Sequence, residues 1–598
     1  MIANFDPFLA NAQAALIAEL VDDSHWEGQL SSSALSTATA IIALHTVAAG
    51  AHAEHIAAGA AWLQQHQNPD GGWGDTTDSF SNISTTLLCR AALALVASDG
   101  ATKDRADQWI ANYCGSGSPD DITAAVVARY GRDRTFSVPI LMACAIAGRL
   151  GNTMQENWRR VLPLPFELAA FPRSWFGALR MPVVSYALPA LIAIGYARFV
   201  HIPPRFPASR YRKALWPRVS ALLDRIQPPN GGFLEATPLT SFVTMALASA
   251  GQAQHPVVAR SVGFLQRSMR PDGSWPIDSN LATWTTTLAI KALGDFSGLD
   301  PLRRDKIRRW LLNQQYHERH IYTDAPSGGW AWSDLPGAVP DADDTPGALL
   351  ALHLLHDEAS HAESTAAAER GVEWLLNIQN RDGGIPTFCR GWGTLPFDRS
   401  SPDLTAHTLR AWKAWLPDLS LPLQQRVGRQ TVSALEYLKR VQQADGSWHP
   451  LWFGNQHRSD EANPTYGTTQ VLRALLPLGD FPREGTGRGI TWLLDHQNPD
   501  GGWGAGEGSP SSIEETALAL DALAEAPGDA GAVLQRGIAW LTAATDHGTR
   551  FPSTPIGFYF AKLWYHERLY PIIWTVSALR RIKARTNRRA SAIESTSS

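Results

Sequence analysis

The sequence predicts an all-α protein made of two (α/α) barrels, and three repeated features indicate this fold. A glycine-rich turn, QNPDGGWG, occurs at 67–74 and again, letter for letter, at 497–504. Looser copies lie at 230–233, 270–276, 327–330, 380–386 and 443–450. A helix of one type precedes the turn, as in RGITWLLDHQ (488–497), and a second helix that opens on threonine follows it. Self-similarity of this kind is the signature of a repeat architecture.

Each repeat therefore contains two helices. Apolar residues recur at spacings of three and four in both of them, which is the helical period. The threonines that open the second helix, Thr285, Thr345 and Thr405, are 60 residues apart. A two-helix unit of this length either stacks as an open solenoid or closes into a barrel. Because strand signals are nearly absent, we expect two closed helical barrels.

The turn between the helices has a structural explanation. Its glycines supply positive φ, and its aspartate can cap backbone amides. The preceding glutamine can hydrogen-bond to the end of a neighbouring helix while the tryptophan packs over it. We interpret these turns as fasteners between repeats and not as catalytic elements, because they recur where no acid is nearby.

Bulk composition is typical of a folded globular protein from a reducing compartment. A chain of 598 residues is too long for one ordinary core, and 44% hydrophobic with 18% charged residues is typical of a globular protein. The formal charge of −4 gives no reason to expect a nucleic-acid partner. Four cysteines without a CxxC pair favour a reducing compartment. The N-terminus, MIANFDPFLA, lacks the pattern of a signal peptide, so we expect a cytoplasmic location.

The predicted domains are a first barrel over 21–282 and a second over 1–20 plus 283–585, followed by a disordered tail at 586–598. No segment makes a convincing transmembrane helix, since the best candidate, 181–197, is short and contains Pro189. Its flanks mix large apolar residues with arginine and lysine, which favours contact with a membrane surface on the cytoplasmic side. A buried helix with solvated flanks is the alternative.

Three carboxylates lie at the start of one apolar helix, in the stretch PDADDTPGALLAL (340–352). Helix capping explains a single aspartate there, because negative charge favours a helix N-terminus. Asp341, Asp343 and Asp344 together repel one another, which raises at least one pKa and keeps a proton available. A protonated carboxyl in an apolar barrel is a Brønsted acid suited to a substrate without polar groups.

These residues carry a family resemblance. The stretch DADDT resembles the DxDD motif of class II terpene cyclases, and the Q…DGxW turns resemble their QW repeats. The sequence is similar to bacterial squalene–hopene cyclases from HWEGQL (25–30) to PIGFYFAKLWY (555–565). The resemblance implies a triterpene cyclase that converts squalene or a similar linear polyprene to a polycycle such as hopene, on a membrane surface, without cofactor or metal. A homodimer is left open.

The resemblance also implies roles for particular residues. Asp343, the middle acid, would protonate a terminal double bond, while Asp341 and Asp344 would hold it protonated and oriented. His407 matches the family histidine that hydrogen-bonds the acids, with Asp403 one helical turn before it. Tyr466 matches a family tyrosine near the acid that helps to relay protons.

Aromatic rings follow from the chemistry, because a carbocation in an apolar pocket is stabilised by π faces, each by about 2 kcal/mol when desolvated. Core packing is the alternative for every one of them, since the chain has 23 tryptophans. Several depart from the family pattern: Trp332 stands where phenylalanine is usual, Phe388 where tyrosine is, and Tyr186 where tryptophan is. The candidates that would line the cavity are Trp284, Trp332, Phe388, Trp452, Phe558 and Tyr186.

Other functions remain as alternatives. A class II diterpene cyclase would act on a prenyl diphosphate and would need arginine or lysine facing the cavity. A protein prenyltransferase subunit shares the barrel but needs a zinc site with cysteine, which no candidate helix opening supplies. A lipid-binding barrel without catalysis is the third. The class I signature DDxxD is absent, which argues against metal-assisted loss of diphosphate.

Overall fold

The computed structural model describes residues 5–131, 134–179, 181, 183–294, 298–478, 483–528, 530–559 and 562–596. Helices dominate this part of the chain, and none of them is both long and apolar enough to cross a bilayer. In the first half they are α1 Phe5–Ala18, α2 Ala34–Ala48, α3 Ala53–Gln65, α4 Ile83–Leu95, α5 Gly100–Cys114, α6 Pro119–Tyr130, α7 Arg134–Ile146, α8 Met154–Arg159, α9 Arg173–Ala178, α10 Val183–His201, α11 Ala208–Ile226, α12 Thr237–Ser249 and α13 Pro256–Ser268.

The second half continues with α14 Ala282–Leu293, α15 Pro301–Asn313, α16 Asp344–Leu355, α17 His361–Ile378, α18 Pro402–Trp415, α19 Leu421–Val441, α20 Pro464–Leu478, α21 Arg483–Asp495, α22 Ile513–Leu523, α23 Gly531–Ala544 and α24 Tyr570–Thr596. Short 3₁₀ turns lie at Phe166–Ala170, Phe233–Glu235 and Leu416–Asp418. Three small antiparallel pairs complete the described structure: β1 Ser32–Ser33 with β2 Trp275–Pro276, β3 Ile385–Pro386 with β4 Ser400–Ser401, and β5 Gly557–Tyr559 with β6 Leu563–Tyr565.

The inner helices form two closed rings. In one ring α14, α16, α18, α20, α22 and α24 contact one another in turn, and α24 returns to α14. In the other, α2, α4, α7, α10 and α12 do the same, and α12 returns to α2. The remaining long helices pack outside these rings, as α17 does on α16 and α1 on α24. The predicted all-α fold of two (α/α) barrels is confirmed.

Sequence decides which helices lie inside. Every residue of α14 is buried, as is a continuous run from Ala34 to Leu44 in α2, because these helices are apolar or small on all faces. Outer helices bury only one stripe, as in α19, where Val427, Ala434, Tyr437 and Leu438 are buried. Helices that are apolar or small on all faces thus form the wall of each barrel, and helices with a single apolar stripe form its outer layer.

The glycine-rich turns join successive outer helices, as predicted. The Gln497 side-chain amide donates to the carbonyls of Gly501 (2.8 Å) and Val533 (2.9 Å), which ties the turn to α23. The Trp503 indole donates to the carbonyl of Leu493 (2.8 Å). Gly501 has a φ of 95°, a conformation that side chains with Cβ rarely adopt. Each turn therefore locks one outer helix onto the next.

The domain boundaries at 20/21 and 282/283 stay predictions. The disordered tail at 586–598 also stays a prediction, and in the structure α24 ends at Thr596. This stretch contains neither proline nor glycine, so nothing in its local chemistry ends the helix. Because the stretch has no apolar stripe, its sequence pattern does not predict a helix.

Candidate active site

The three predicted acids lie together at the start of α16 and face a chamber between the two barrels. The acid end of this chamber is a cavity of about 90 Å³. Its lining comprises Leu281, Trp284, Trp332, Asp341, Asp343, Asp344, Thr387, Phe388, Trp452, Phe453, Phe558, Tyr559 and Tyr565. Apart from the acids and a few hydroxyl groups, this surface is aromatic or aliphatic.

Asp341 is the residue that caps the helix. Its Oδ1 accepts hydrogen bonds from the backbone N–H of Asp343 (2.9 Å) and of Asp344 (2.8 Å). Asp341 is 3% exposed, so these two donors are its main compensation for the loss of water. Capping and acidity had been alternatives for this stretch, and the structure assigns capping to Asp341.

Asp343 occupies the position before the first residue of α16, but its side chain makes no capping hydrogen bond. It is only half-buried, because its carboxyl faces the chamber, whereas Asp344 is 2% exposed. Of the three acids, Asp343 is therefore the most exposed one in the chamber, and its carboxyl takes no part in the helix cap.

Burial raises the pKa of all three carboxyls. The pKa of Asp341 rises to about 7, held down by the two N–H groups that it accepts from. Burial raises the pKa of Asp343 well above its usual range, and the charges of Asp341 and Asp403 raise it further, while Lys291 opposes the shift. The pKa of Asp344 is also raised well above its usual range, first by burial and then by the charges of Asp341 and Asp343. Asp341 thus has the lowest pKa of the three, and its charge adds to burial in raising the pKa of the other two.

His407 lies beside the acids, but its hydrogen-bond partner differs from expectation. Its Nε2 is 3.1 Å from Nζ of Lys291 on α14, instead of contacting an aspartate. Its ring lies edge-on to Trp284, with 6.1 Å between the centroids. A Cβ at Gly347 would lie 2.8 Å from Oγ1 of Thr287, so the glycine lets α14 approach the first turn of α16.

The two acid-supporting residues lie on the side of Asp343 away from the chamber. Burial raises the pKa of Asp403 to about 6, although the hydroxyl of Ser401 donates to it. Tyr466 stacks on Phe453, with 3.8 Å between the ring centroids. Both line a small polar cavity that also reaches Asp343. The relay role of Tyr466 stays a prediction.

Sequence reasoning missed the cations of this polar cavity, Lys291, Arg410 and Arg473. Lys291 is 9% exposed and lies in the last turn of α14, where a lysine ordinarily ends in solvent. A signal was available, because Lys291 stands in LAIKAL, within a helix that is otherwise apolar or small, and such a helix belongs to the inner ring.

The predicted aromatic residues all line the chamber. Five lie at the acid end, and their polar atoms are bound to the wall: the Trp284 indole donates to the Tyr570 hydroxyl (3.0 Å) and the Trp452 indole to Oγ1 of Thr387 (2.7 Å). The hydroxyl of Tyr186 donates to the carbonyl of Phe388 (3.2 Å). Phe453, Tyr559 and Tyr565 also line the acid end and were not predicted.

Tyr186 belongs to a second, more apolar part of the chamber. This part is a cavity of about 210 Å³ and meets the acid end at Tyr559, which lines both. The hydroxyl of Tyr559 hydrogen-bonds to Oδ2 of Asp278 (2.5 Å) and fixes the ring between the two parts. The side chains of this second part come mainly from the first barrel: Phe136, Pro139, Leu164, Ala187, Ala190, Leu191, Ile194, Leu234, Leu239 and Phe242.

Two family models match the chain. The model described as the squalene-hopene cyclase N-terminal domain matches residues 9–142, and the squalene-hopene cyclase C-terminal domain matches residues 280–584. Together they cover the first half of the first barrel and nearly all of the second, including the three acids and His407.

Curated relatives agree at low identity. The terpene cyclase-glycosyl transferase fusion protein fsoA of Humicola fuscoatra is 27% identical, over 95% of this chain and 49% of its own length. Enfumafungin synthase efuA of Hormonema carpetanum is 25% identical over 91% of this chain, which again spans about half (45%) of the relative. The squalene–hopene cyclase of Bradyrhizobium diazoefficiens is 24% identical, over 97% of this chain and 95% of its own.

Among solved structures, ent-copalyl diphosphate synthase from Streptomyces platensis aligns with 96% of this chain and 100% of its own, at a TM-score of 0.57 and 20% identity. This likeness concerns the fold alone.

Proposed function

The chain belongs to the squalene–hopene cyclase family, and on that premise we propose that it is a class II terpene cyclase acting on squalene or a similar linear polyprene. The observation that carries the proposal is the carboxyl of Asp343, which is free of the helix cap and turned into a chamber lined by aromatic rings, where burial raises its pKa well above the usual range. An acid of this kind can protonate an alkene that offers no polar group for binding.

The proposed reaction starts when the O–H of Asp343 gives its proton to the terminal double bond of the substrate. A C–H bond forms, the π bond breaks, and the cation that results is attacked by the next double bond along the chain. Each ring closure moves the positive charge away from the acid. Trp284, Trp332 and Phe388 present π faces that stabilise it where water is excluded.

The chamber favours a hydrocarbon over a prenyl diphosphate. Among the described residues that line its two parts, Arg134 is the single cationic side chain. A diphosphate needs several charge-assisted hydrogen bonds when it leaves water, and one arginine supplies too few. The apolar surface of the second part instead suits the long tail of a polyprene.

The test is incubation of the purified protein with squalene, without metal or diphosphate, followed by mass spectrometry of the products. We expect cyclised product from the parent and a loss of at least 1,000-fold in Asp343→Asn, which keeps the shape but removes the acid. Undiminished cyclisation by Asp343→Asn would refute the assignment. Product from geranylgeranyl diphosphate only would identify a diterpene cyclase, and binding of squalene without product would identify a lipid-binding barrel.

We further propose that the cyclase attaches to one face of a membrane through the segment around α9–α11. Its large apolar side chains are exposed: Trp175 by 55%, Leu179 by 63% and Phe206 by 76%. Exposed basic residues, Arg205 and Arg210 among them, lie close by in sequence. Helix α10 runs from this region to the apolar part of the chamber, so an insoluble substrate could pass from lipid to chamber along it. An oligomeric state is not part of this proposal.

A further inference from the structure

The small polar cavity inside the second barrel is lined by three cationic side chains. They are Lys291 on α14, Arg410 on α18 and Arg473 on α20. A buried cation is costly unless an opposite charge and hydrogen bonds compensate it. Each of the three therefore needs a compensating group or must lose its charge.

Arg473 is compensated by a carboxylate, as is its neighbour Arg581 on α24. Oδ1 of Asp521, on α22, lies 3.1 Å from Nε of Arg473 and 2.9 Å from Nε of Arg581. Burial opposes the charge of Asp521, but the two arginines lower its pKa, so this carboxyl is ionised. Arg581 also pairs with Glu525. Two carboxylates therefore serve these two arginines.

Lys291 can lose its charge. Its Nζ is 3.1 Å from Nε2 of His407. Burial, followed by the charges of Arg410 and Arg473, lowers the pKa of Lys291 well below its usual value. A lysine amine in such surroundings gives up its proton, whereas an arginine guanidinium stays charged in proteins.

Arg410 is the cation that is left without a counter-charge. It lies one helical turn after His407, and its guanidinium has no hydrogen bond or ion pair with any residue that the structure describes. Asp521 and Glu525 favour its charge, but both are already paired with other arginines. Asp403 lies two turns earlier on α18, about 10 Å along the helix axis, which is too far for an ion pair.

A second donor faces the same cavity. The side chain of Gln470, on α20, lines it, and its amide likewise has no hydrogen bond within the described ranges. A guanidinium and a primary amide both present N–H groups, and hydrogen bonds from a charged donor to an anion are among the strongest in proteins. Arg410 and Gln470 together therefore supply the charge and the donors that a bound anion requires.

The size of the cavity restricts this anion. The cavity measures about 20 Å³, and a single water needs about 10–15 Å³. One monatomic ion fits, whereas phosphate and sulfate, with four oxygens around a central atom, do not.

We propose that this cavity binds one halide ion, such as chloride, against Arg410 and Gln470. The ion compensates the buried guanidinium and so stabilises the inner ring where α18 and α20 meet. Binding needs only the folded second barrel, so the proposal is independent of the proposed cyclase function.

The first test locates the ion with bromide, which resembles chloride and scatters X-rays anomalously. In crystals of the parent soaked in bromide, we expect an anomalous peak inside the cavity, in contact with the guanidinium of Arg410. Arg410→Met fills similar space without the charge and should abolish this peak. Arg429→Gln removes an exposed arginine of α19 and should leave the peak unchanged.

A cavity of the parent that holds only water in these crystals would overturn the inference, as would an unchanged peak in Arg410→Met. The parent crystals decide by themselves should Arg410→Met fail to fold.

The second test measures stability in solution. At constant ionic strength, replacing gluconate by chloride should raise the unfolding temperature of the parent by about 2 °C and then level off, because a ligand that binds only the folded state stabilises it. The rise should vanish in Arg410→Met and persist in Arg429→Gln. An equal rise in Arg410→Met, or one that sulfate reproduces, would indicate a general salt effect and contradict the site. Neither test depends on the turnover of squalene.

Discussion

Three neighbouring aspartates perform different tasks because the helix gives them different partners. Asp341 lies where two backbone N–H groups point, so its carboxyl is bound and its pKa stays lowest of the three, at about 7. Asp343 has the same chemistry but no such donors, so burial dominates its pKa. Their positions at the start of the same helix therefore make Asp341 the capping residue and leave Asp343 as the acid.

This separation predicts different outcomes for two substitutions of Asp341. Asparagine keeps an oxygen for the two N–H donors, whereas alanine removes it, so Asp341→Ala should lose about 1 kcal/mol of stability relative to Asp341→Asn. Asp341→Asn also removes the negative charge that raises the pKa of Asp343. The alkaline limb of its pH–rate profile for squalene should therefore move to lower pH.

Thermal unfolding and pH profiles of cyclisation by the parent and both variants supply the measurement. An alkaline limb that stays in place in Asp341→Asn would show that Asp341 does not set the protonation of Asp343. Equal stability of the two variants would show that the two hydrogen bonds contribute nothing to the helix.

The acids could be predicted from the sequence, whereas the hydrogen-bond partners of the residues around them could not. Repulsion within DADDT is a local property, so this five-residue stretch suffices to expect a raised pKa. The partner of His407 depends on how α14 and α18 flank α16, and Lys291 is 116 residues away in sequence. For the same reason the sequence predicted the six chamber aromatics but not Tyr559, whose place depends on Asp278.

At the scale of elements, helical period and turn chemistry predicted the repeats, because the signals for the helices and the turn lie within each repeat's own sequence. The segment around α9–α11 belongs to no repeat, and its sequence left membrane contact and burial as alternatives. In the structure the segment has one buried and one exposed face: Phe176 is 7% exposed, whereas Trp175 is 55% exposed. Adjacent residues on opposite faces are typical of a helix that lies along an interface.

We therefore expect membrane attachment to depend on this exposed face. The triple substitution Trp175→Ser, Leu179→Ser and Phe206→Ser should reduce flotation with liposomes that contain anionic lipid at least fivefold, because it removes the apolar area that would enter the bilayer. Cyclisation of squalene dissolved in detergent should change little, since none of the three lines the chamber.

The matched control carries serine at Leu302 and Leu421, which are 70% and 65% exposed on the outer layer of the second barrel. It should float like the parent. Equal flotation of all three proteins, or no flotation of the parent, would contradict attachment through α9–α11.

At the scale of the whole molecule, the double barrel buries carboxyls well beyond the candidate site. Glu514, at the start of α22, accepts hydrogen bonds from the backbone N–H (2.8 Å) and the hydroxyl (3.0 Å) of Thr554. Burial and the neighbouring Glu515 raise the pKa of Glu514 to about 8. Burial likewise raises the pKa of Glu515 and of Glu567 to about 7.

Such groups make the folded protein less stable as the pH rises. A glutamate with an ordinary pKa near 4.3 in the unfolded chain and about 8 in the folded one binds more protons when folded, between these two values. Its contribution to stability is therefore fully present below about pH 4 and is lost as pH rises toward 8. Each pKa unit corresponds to about 1.4 kcal/mol, so burial of Glu514 costs a few kcal/mol at alkaline pH.

Glu514→Gln isolates this effect, because it keeps an acceptor for Thr554 and removes the titration. We expect the unfolding temperatures of the parent and Glu514→Gln to agree within about 2 °C at pH 5, and the variant to be several degrees more stable at pH 8.5. Glu358→Gln, at an exposed position, should follow the parent at both values. Differences from the parent that are the same at pH 5 and pH 8.5 would mean that Glu514 is already ionised in the folded barrel. Should the widening gap be observed, it would establish that this architecture holds carboxyls protonated at neutral pH, which is the property that the proposed acid chemistry of Asp343 requires.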